Sequence, residues 1–434
     1  MSKLLRLATY GMKNIENEIV LEFANSTIEK GIKKINSLKG IFGYNGAGKS
    51  AIISSVYFYK NIICNQNFLL QNSIKSQLDK LINYKRNEFF ISMIFDYKDG
   101  VVIKHSLKLS KDNLTSNYII SEEDVSLSIG RTLNDKYVSL VSKIDKIVTI
   151  NTNKSSKALD YLVNVDLDNL SIVQVVFRKI LESEDNNSLS DIEKVILSLF
   201  ADVNNIDVYL SDSDYHRNYK VDKDMIKKLI ECGEKSKNIS EDYFQDFNVF
   251  DDIVSLNDYE LYKKENKKLE KFIKLFKPEL KEIQLMPIED RKVFHVKKNF
   301  VYEDYIIEAE FESSGIKQLI KLFTYLMRCA KGNITFIDEI DTNLNTVYFE
   351  KLLSFYKNYG EGQLIFTTHN IESMNALKGQ GKSIVVLGIE NRIDTWVGKG
   401  NRSPISDYLS GAFPNSPMTI EDFDFINIFY GEEE

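Results

Sequence analysis

Residues 43–50 (GYNGAGKS) have the residue types and the spacing of a phosphate-binding loop. They match the pattern G-x-x-x-x-G-K-[ST] at every position. The three glycines let backbone N–H groups turn towards phosphate oxygens, beside the positive end of a helix that begins near Gly48. We expect Lys49 to reach the β- and γ-phosphates and the Ser50 hydroxyl to bind Mg²⁺. The predicted phosphate-binding residues are Gly43, Asn45, Gly46, Gly48, Lys49, Ser50 and Ala51.

A second chemical segment, residues 334–339 (ITFIDE), is an apolar run that ends in two carboxylates. Such a run is typical of a buried parallel strand, and ligands bind at the C-terminal ends of these strands. We expect Asp338 to hold Mg²⁺ through water and Glu339 to polarise an attacking water. A strand that ends in a solvated acidic turn is the alternative. The complete phosphate-binding loop favours the catalytic interpretation.

Both segments need an α/β framework to bring them together. An apolar-rich stretch at 35–42 predicts a strand before the loop, and residues 51–59 predict a buried helix after it. Strand, loop and helix in this order are the context that the loop requires. Alternation and a turn at Gly100 predict further strands. These strands cover residues 3–10, 18–23, 87–97 and 101–109.

The strand pattern fades after residue 110 and returns near residue 280. The interval is predicted to be mainly helical, with its clearest helices at residues 191–199 and 259–276. The first of these starts at a capping box formed by Ser190 and Glu193. We therefore predict one mixed α/β unit that is interrupted by an insertion. Its parts are residues 1–110, the helical insertion 111–280, and residues 281–434.

Composition excludes several classes of protein. The 434 residues are 43% hydrophobic, which is enough for a large core, and the net charge of −7 argues against a generally basic nucleic-acid binder. Neither an apolar run long enough to span a membrane nor a signal peptide is evident, so we expect a cytoplasmic protein without a membrane partner. Cys64, Cys232 and Cys329 are far apart and are predicted to be reduced.

Four motifs stand in a fixed order along the chain. They are the phosphate loop, residues 313–315 (SSG) before a predicted helix, the carboxylate strand, and residues 366–370 (FTTHN). This order resembles the head of ABC-type ATPases, which is found in transporters, in SMC and RecF proteins and in the OLD family. The resemblance implies an α/β fold of the ABC/SMC type, with ATP and Mg²⁺ as ligands and a homo-oligomer of at least two subunits.

The same resemblance implies roles for further residues. Ser313, Ser314 and Gly315 would form the signature motif, which contacts the γ-phosphate bound by a partner subunit. His369 would be the catalytic histidine that senses the γ-phosphate. Residues 341–345 correspond to the D-loop, where Asn345 replaces the usual aspartate. Gln71 and Gln77 both remain candidates for the Q-loop glutamine.

The motifs, together with residues 402–413, are similar to those of the AAA_15/AAA_21 group of bacterial ATPases. Members include the ATPases of the PARIS, AbiL/RloA and Septu systems, so the resemblance implies a nucleotide-gated switch in anti-phage defence and abortive infection. It would control a separate effector such as a nuclease or a toxin. The alternatives are a RecF/SMC-like ATPase of DNA repair or maintenance that binds DNA, the energising subunit of a transporter, and a scaffold that binds ATP but scarcely hydrolyses it.

Overall fold

A computed structural model describes most of the chain. The described residues are 2–24, 35–97, 100–112, 115–128, 136–151, 156–182, 189–211, 246–397 and 402–413, together with positions 133, 425, 428, 429 and 431. Cys232, which sequence analysis predicted to be reduced, lies outside them.

The elements are numbered here in chain order. The strands are β1 Leu4–Tyr10, β2 Ile19–Glu22, β3 Leu38–Gly43, β4 Glu88–Asp96, β5 Val102–Lys111, β6 Tyr118–Ser128, β7 Tyr137–Ile144, β8 Ile147–Ile150, β9 Ile206–Tyr209, β10 Asp252–Ser255, β11 Glu282–Asp290, β12 Val293–Val301, β13 Ile306–Glu308, β14 Ile334–Ile337, β15 Gln363–Thr367, β16 Ile384–Leu387 and β17 Ile393–Thr395. The helices are α1 Lys49–Cys64, α2 Asn72–Leu81, α3 Lys157–Leu162, α4 Ile172–Glu182, α5 Asp191–Asn204, α6 Tyr259–Lys274, α7 Ser314–Ala330, α8 Thr346–Tyr359, α9 Met374–Leu377 and α10 Pro404–Leu409.

A mixed sheet carries the predicted chemical segments. Its strand order is β17-β16-β3-β15-β14-β9, and every neighbouring pair is parallel except β16 with β17. All residues of its five parallel strands are buried. This explains their continuous apolar runs, because both faces of such a sheet are covered. The parallel strands end at one edge, so β3, β15 and β14 deliver their following residues to the same place.

The fold also contains two antiparallel sheets. The larger has the order β2-β1-β4-β5-β6-β7-β8. The smaller is built around β12, which pairs with β11 on one side and with β10 and β13 on the other. Helix α7 joins the smaller sheet to the mixed sheet. Its Phe323 packs in the core of the smaller sheet, whereas its Leu322 packs against the mixed sheet.

The largest core surrounds α1, the helix that follows the phosphate loop. Nearly every residue of α1 is buried, and its apolar side chains share one core with the larger antiparallel sheet and with α4 and α5. Phe177 of α4 stacks on Phe200 of α5, with 3.6 Å between the ring centroids. The framework behind the loop is therefore well packed.

The structure corrects the expected make-up of residues 111–280. Residues 118–150 contain β6, β7 and β8, which extend the larger antiparallel sheet, so the helical prediction is wrong there. The strand pattern was hidden because Glu123 points into the core and a register shift interrupts β6. The same interval contributes β9 to the mixed sheet, beside β14. The helices α4 and α5 agree with the prediction, including the capping box of Ser190 and Glu193.

The expected fold class, the expected strands near the two ends of residues 1–110 and the state of two cysteines agree with the structure. The α/β class with a mixed sheet is confirmed, and so are the strands expected near residues 3–10, 18–23, 87–97 and 101–109. Cys64 and Cys329 are buried free thiols, and burial raises the pKa of each to about 12. Within the described residues, no helix has both the length and the apolar character that crossing a membrane requires.

Candidate functional site

The phosphate loop connects the end of β3 to the start of α1. Gly43, Gly46 and Gly48 have φ values of 144°, 82° and 108°, a region that favours glycine. A Cβ atom at Gly43 would lie 2.2 Å from the carbonyl oxygen of Leu387, so this position excludes any side chain. A Cβ atom at Gly46 would meet no atom within 4 Å, so the loop is open on that side. The backbone therefore forms a curl that faces open space.

Lys49 is the first residue of α1 and lies under this curl. Its Nζ atom donates hydrogen bonds to the carbonyl oxygens of Gly43 at 2.9 Å and Tyr44 at 3.0 Å. Burial lowers the pKa of Lys49, and the nearby charges of Asp338 and Glu339 raise it in part. The tertiary structure has thus brought the lysine of the loop close to the two carboxylates of the distant segment.

Thr367 connects these carboxylates to the phosphate-loop strand. It ends β15, which lies between β3 and β14 in the sheet. Its hydroxyl donates to Asp338 Oδ1 at 2.6 Å and accepts from the backbone N–H of Glu339 at 2.7 Å. Asp338 is buried, and Glu339 has a φ of 48°, so the chain turns sharply as soon as β14 ends. Thr342 donates to Glu339 Oε2 at 3.3 Å.

His369 follows β15 and lies among the same charges. Burial lowers the pKa of His369, and Lys49 lowers it further, whereas Glu339, Asp341 and Asp338 raise it. The lowered pKa favours the neutral imidazole near pH 7. The structure therefore brings together four of the predicted residues, namely Lys49, Asp338, Glu339 and His369.

Two asparagines hold the phosphate loop from outside. Asn14, in the turn between β1 and β2, donates to the carbonyl oxygen of Gly46. Asn391, in the turn between β16 and β17, donates to the carbonyl oxygen of Ala47 at 3.3 Å and accepts from the N–H of Glu16 at 3.0 Å. Sequence analysis missed both asparagines and Thr367. An asparagine in a turn carries no local signal of a contact this far away in the chain.

The SSG segment begins α7. Ser313 is the N-cap residue, and its hydroxyl accepts from the N–H of Ile316 at 3.4 Å. A Cβ atom at Gly315 would lie 2.7 Å from the carbonyl oxygen of Asn343, which shows how closely the D-loop segment approaches. Asn345, at the end of that segment, caps α8 by accepting from the N–H of Val347 at 2.9 Å. The replacement of aspartate by Asn345 therefore still provides a helix cap.

Ser313 and Ser314 are exposed. The hydrogen bonds of the described residues connect Ser313 to its own neighbours, Glu312, Ile316 and Lys317, and none of them joins the SSG segment to the phosphate loop. Gln71 and Gln77 are the N-cap residue and an interior residue of α2. Neither has a hydrogen bond to the phosphate loop among the described residues, so the Q-loop assignment stays open.

The arrangement fits a nucleoside triphosphate with Mg²⁺. Three left-handed glycines and the N-terminus of α1 form an anion cradle that opens towards solvent. Ser50 directly follows Lys49 in α1, and the charges of Asp338 and Glu339 act on Lys49. Asp338 is buried and accepts hydrogen bonds from the hydroxyls of Thr367 and Ser211. Hydroxyl and carboxylate oxygens suit Mg²⁺, which binds few protein ligands together with phosphate oxygens.

The loop, the carboxylate strand and the mixed sheet define an α/β fold of the ABC/SMC-like type with a nucleotide-binding loop. A family model matches part of the chain. The family model described as "AAA domain, putative AbiEii toxin, Type IV TA system" matches residues 197–375. The match includes the SSG segment, the carboxylate strand and His369. A search of curated proteins found no match.

Solved structures similar to this chain include two Smc heads and the recombination mediator RecF. An Smc head bound to the C-winged helix domain of ScpA has a TM-score of 0.44 and 14% identity, over 91% of this chain and 97% of that one. An Smc head domain with coiled coil and joint, from Pyrococcus yayanosii, has a TM-score of 0.40 and 13% identity, over 92% and 98%. The ATP complex of the recombination mediator RecF has a TM-score of 0.39 and 12% identity, over 91% and 98%.

Proposed function

We propose that this protein is a nucleotide-gated ATPase switch of bacterial anti-phage defence, which acts through abortive infection on a separate effector such as a nuclease or a toxin. The observation that carries the ATPase is the network of Asp338, Thr367 and Glu339 beside the buried Lys49. The defence role is supported by the matched family description, which names a toxin and a toxin–antitoxin system.

Hydrolysis is assigned to residues of this network. Lys49 would bind the β- and γ-phosphates, and the N–H groups of the loop would hold the remaining oxygens. Ser50 and Asp338 would hold Mg²⁺, which neutralises negative charge on the phosphates. Glu339 would accept the proton of the attacking water, and the neutral His369 would hydrogen-bond the γ-phosphate.

Two subunits would complete each site. Ser313 and Ser314 are exposed at the start of α7. The next residue, Gly315, packs closely against the carbonyl oxygen of Asn343 in the D-loop segment. This arrangement supports a homo-oligomer of at least two subunits, in which the SSG segment of one contacts the nucleotide bound by the other. ATP would close the pair and hydrolysis would reopen it, so that the nucleotide state selects whether the effector is held or released.

A phage challenge tests the defence role. Cells that carry this gene with its neighbouring genes are infected with a panel of phages, and plaque counts are compared with those of cells that carry Lys49→Ala or Glu339→Gln. We expect protection from at least one phage with the intact gene and loss of protection with both variants. Equal plaque counts for all strains across the panel would reject the defence role but not the ATPase.

DNA repair or maintenance is the second candidate. It predicts ATP-dependent binding of duplex DNA, with an affinity that falls steeply as salt rises. The net charge of −7 weighs against it without excluding a local basic surface. Measuring DNA affinity with ATP and Mg²⁺ at several salt concentrations separates the two roles. Tight, ATP-dependent binding together with an absence of phage protection would favour the repair role.

A further inference from the structure

A buried carboxylate lies immediately before the exposed SSG segment. Only 5% of Glu312 is exposed, and Ser313 beside it is exposed. The Oε2 atom of Glu312 accepts a hydrogen bond from the N–H of Ser313 at 3.1 Å. Its Oε1 atom accepts a hydrogen bond from the hydroxyl of Tyr302. Glu312 therefore ties the first residue of the segment to the smaller antiparallel sheet, since Tyr302 directly follows β12.

Lys277 provides the positive charge that pairs with Glu312. Its Nζ atom lies 3.2 Å from Glu312 Oε2, and it also lies over the ring of Tyr302, 4.4 Å from the centroid. Lys277 follows the end of α6, so the ion pair connects α6 to the start of α7. Burial raises the pKa of Tyr302, and the hydrogen bond to Glu312 raises it further. Tyr302 therefore stays protonated and remains a donor to Glu312.

The position of this carboxylate raises an electrostatic problem. The first N–H groups of a helix have no partner inside the helix and favour an anion, which is the role proposed for the start of α7. A negative charge one residue before the N-cap opposes that role, because like charges repel more strongly where water is excluded. Lys277 offsets the charge while leaving the hydrogen bonds of Glu312 intact.

We propose that Glu312 is a positioning residue that orients the SSG segment for the γ-phosphate of the partner subunit, and that Lys277 cancels the charge of Glu312 at that contact. The inference rests on the two-subunit site proposed above. Ser313 uses its N–H for Glu312 and its hydroxyl oxygen for Ile316, so its side chain has a fixed direction. The N–H groups of Ser314 and Gly315 would then bind the phosphate oxygens.

Charge-altering variants give the test. In a Glu339→Gln background, which slows hydrolysis, the ATP concentration for half-maximal dimerisation is measured by light scattering with Mg²⁺. The variants are Lys277→Gln, Glu312→Gln and the double variant. The control is Lys281→Gln, because Lys281 forms an exposed pair with Glu303 at 3.5 Å. Single-subunit ATP affinity is measured alongside, in a Ser313→Arg background that blocks pairing.

The expected shifts have opposite signs. Lys277→Gln leaves the charge of Glu312 uncompensated and should raise the half-maximal ATP concentration about tenfold. Glu312→Gln keeps the shape and removes the negative charge, so it should leave that concentration unchanged or lower. Its amide oxygen can still accept from the N–H of Ser313, while its NH2 group can donate to the hydroxyl oxygen of Tyr302. The double variant should return close to the background value. Lys281→Gln should change nothing, and single-subunit affinity should stay constant in every variant.

Other outcomes overturn the inference in distinguishable ways. If both single variants weaken dimerisation and their effects add in the double variant, the ion pair only supports the fold and the charge argument is wrong. If the Glu339→Gln protein binds ATP but does not dimerise, the two-subunit site is wrong and the inference falls with it. If single-subunit affinity changes in parallel with dimerisation, the residues act on the phosphate loop instead.

Discussion

At the scale of single residues, Thr367 positions the two carboxylate residues, Asp338 and Glu339. It donates to Asp338 and accepts from the N–H of Glu339, and it belongs to the strand next to the phosphate-loop strand. The hydroxyl of Thr367 thus orients the buried carboxylate of Asp338. It also holds the backbone N–H of Glu339, where the turn after β14 begins. A hydroxyl between two strands can do this because parallel strands end at the same edge.

Replacing Thr367 by valine should damage the site while preserving the fold. Valine has nearly the same shape but leaves Asp338 and the N–H of Glu339 with one partner fewer. We expect the ATPase rate to fall about tenfold and the Mg²⁺ concentration for half-maximal rate to rise. A titration of rate against Mg²⁺ measures both. Thr335→Val, in the buried strand β14, should change neither, and an unaltered Mg²⁺ requirement in Thr367→Val would contradict the assignment.

Glu339→Gln separates binding from hydrolysis. The amide keeps the size of the side chain but cannot accept the proton of the attacking water, so turnover should fall by roughly 10²–10³. ATP binding should persist, since Lys49 and the loop are untouched. Steady-state phosphate release and equilibrium ATP binding are the two measurements. A rate equal to that of the wild type would show that Glu339 is not the base.

At the scale of elements, two turns hold the phosphate loop in place. The turn between β1 and β2 provides Asn14, and the turn between β16 and β17 provides Asn391, which has a φ of 60°. The first turn belongs to the larger antiparallel sheet and the second to the mixed sheet. The curl of the loop therefore depends on how these two sheets are placed relative to each other.

Asn391→Gly tests whether Asn391 supports the phosphate loop, and it does so without straining the backbone. Glycine accepts the positive φ but loses the hydrogen bonds to Ala47 and Glu16, each worth about 1 kcal/mol. We expect ATP affinity to fall several-fold, measured by calorimetry. Asn87→Gly is the matched control, because Asn87 is an exposed asparagine with a φ of 54°. Equal ATP affinity in the two variants would show that Asn391 does not contribute to ATP binding.

Gly315→Ala tests the contact between the SSG segment and the D-loop. The added Cβ would lie 2.7 Å from the carbonyl oxygen of Asn343, so the two segments must separate. We expect a loss of ATPase activity of at least tenfold, with ATP binding to the single subunit retained. Gly381→Ala should keep full activity, since a Cβ atom there meets nothing within 4 Å. Full activity in Gly315→Ala would show that this packing is dispensable.

At the scale of the whole molecule, assembly decides whether the site is complete. Ser313→Arg places a long side chain where a partner would contact the exposed start of α7. We expect this variant to remain monomeric with ATP and to lose turnover, as shown by light scattering and phosphate release. Ser410→Arg, at another exposed serine beyond α10, should behave as wild type. Unchanged turnover in Ser313→Arg would reject the two-subunit site.

Much of this site could be predicted from local patterns. Residues 43–50 specify their own turn, because three glycines and a following helix are properties of neighbouring residues. The buried strands β14 and β15 can be recognised in the sequence as apolar runs, since both faces of the mixed sheet are covered. The strands β6 to β8 could not be recognised in this way. Glu123 is buried among hydrogen bonds from His105, Ser171 and Ile172, so a polar residue occupies a core position.

The sequence by itself determined the chemical groups and the strands that end in them. It specified a phosphate loop with Lys49 and a strand that ends at Asp338 and Glu339, since each depends on a few adjacent residues. Only the tertiary structure decided that Thr367 joins these groups, that Asn14 and Asn391 hold the loop, and that Lys277 pairs with Glu312. These contacts connect residues far apart in the chain. Their distances depend on how sheets and helices pack, which no local pattern encodes.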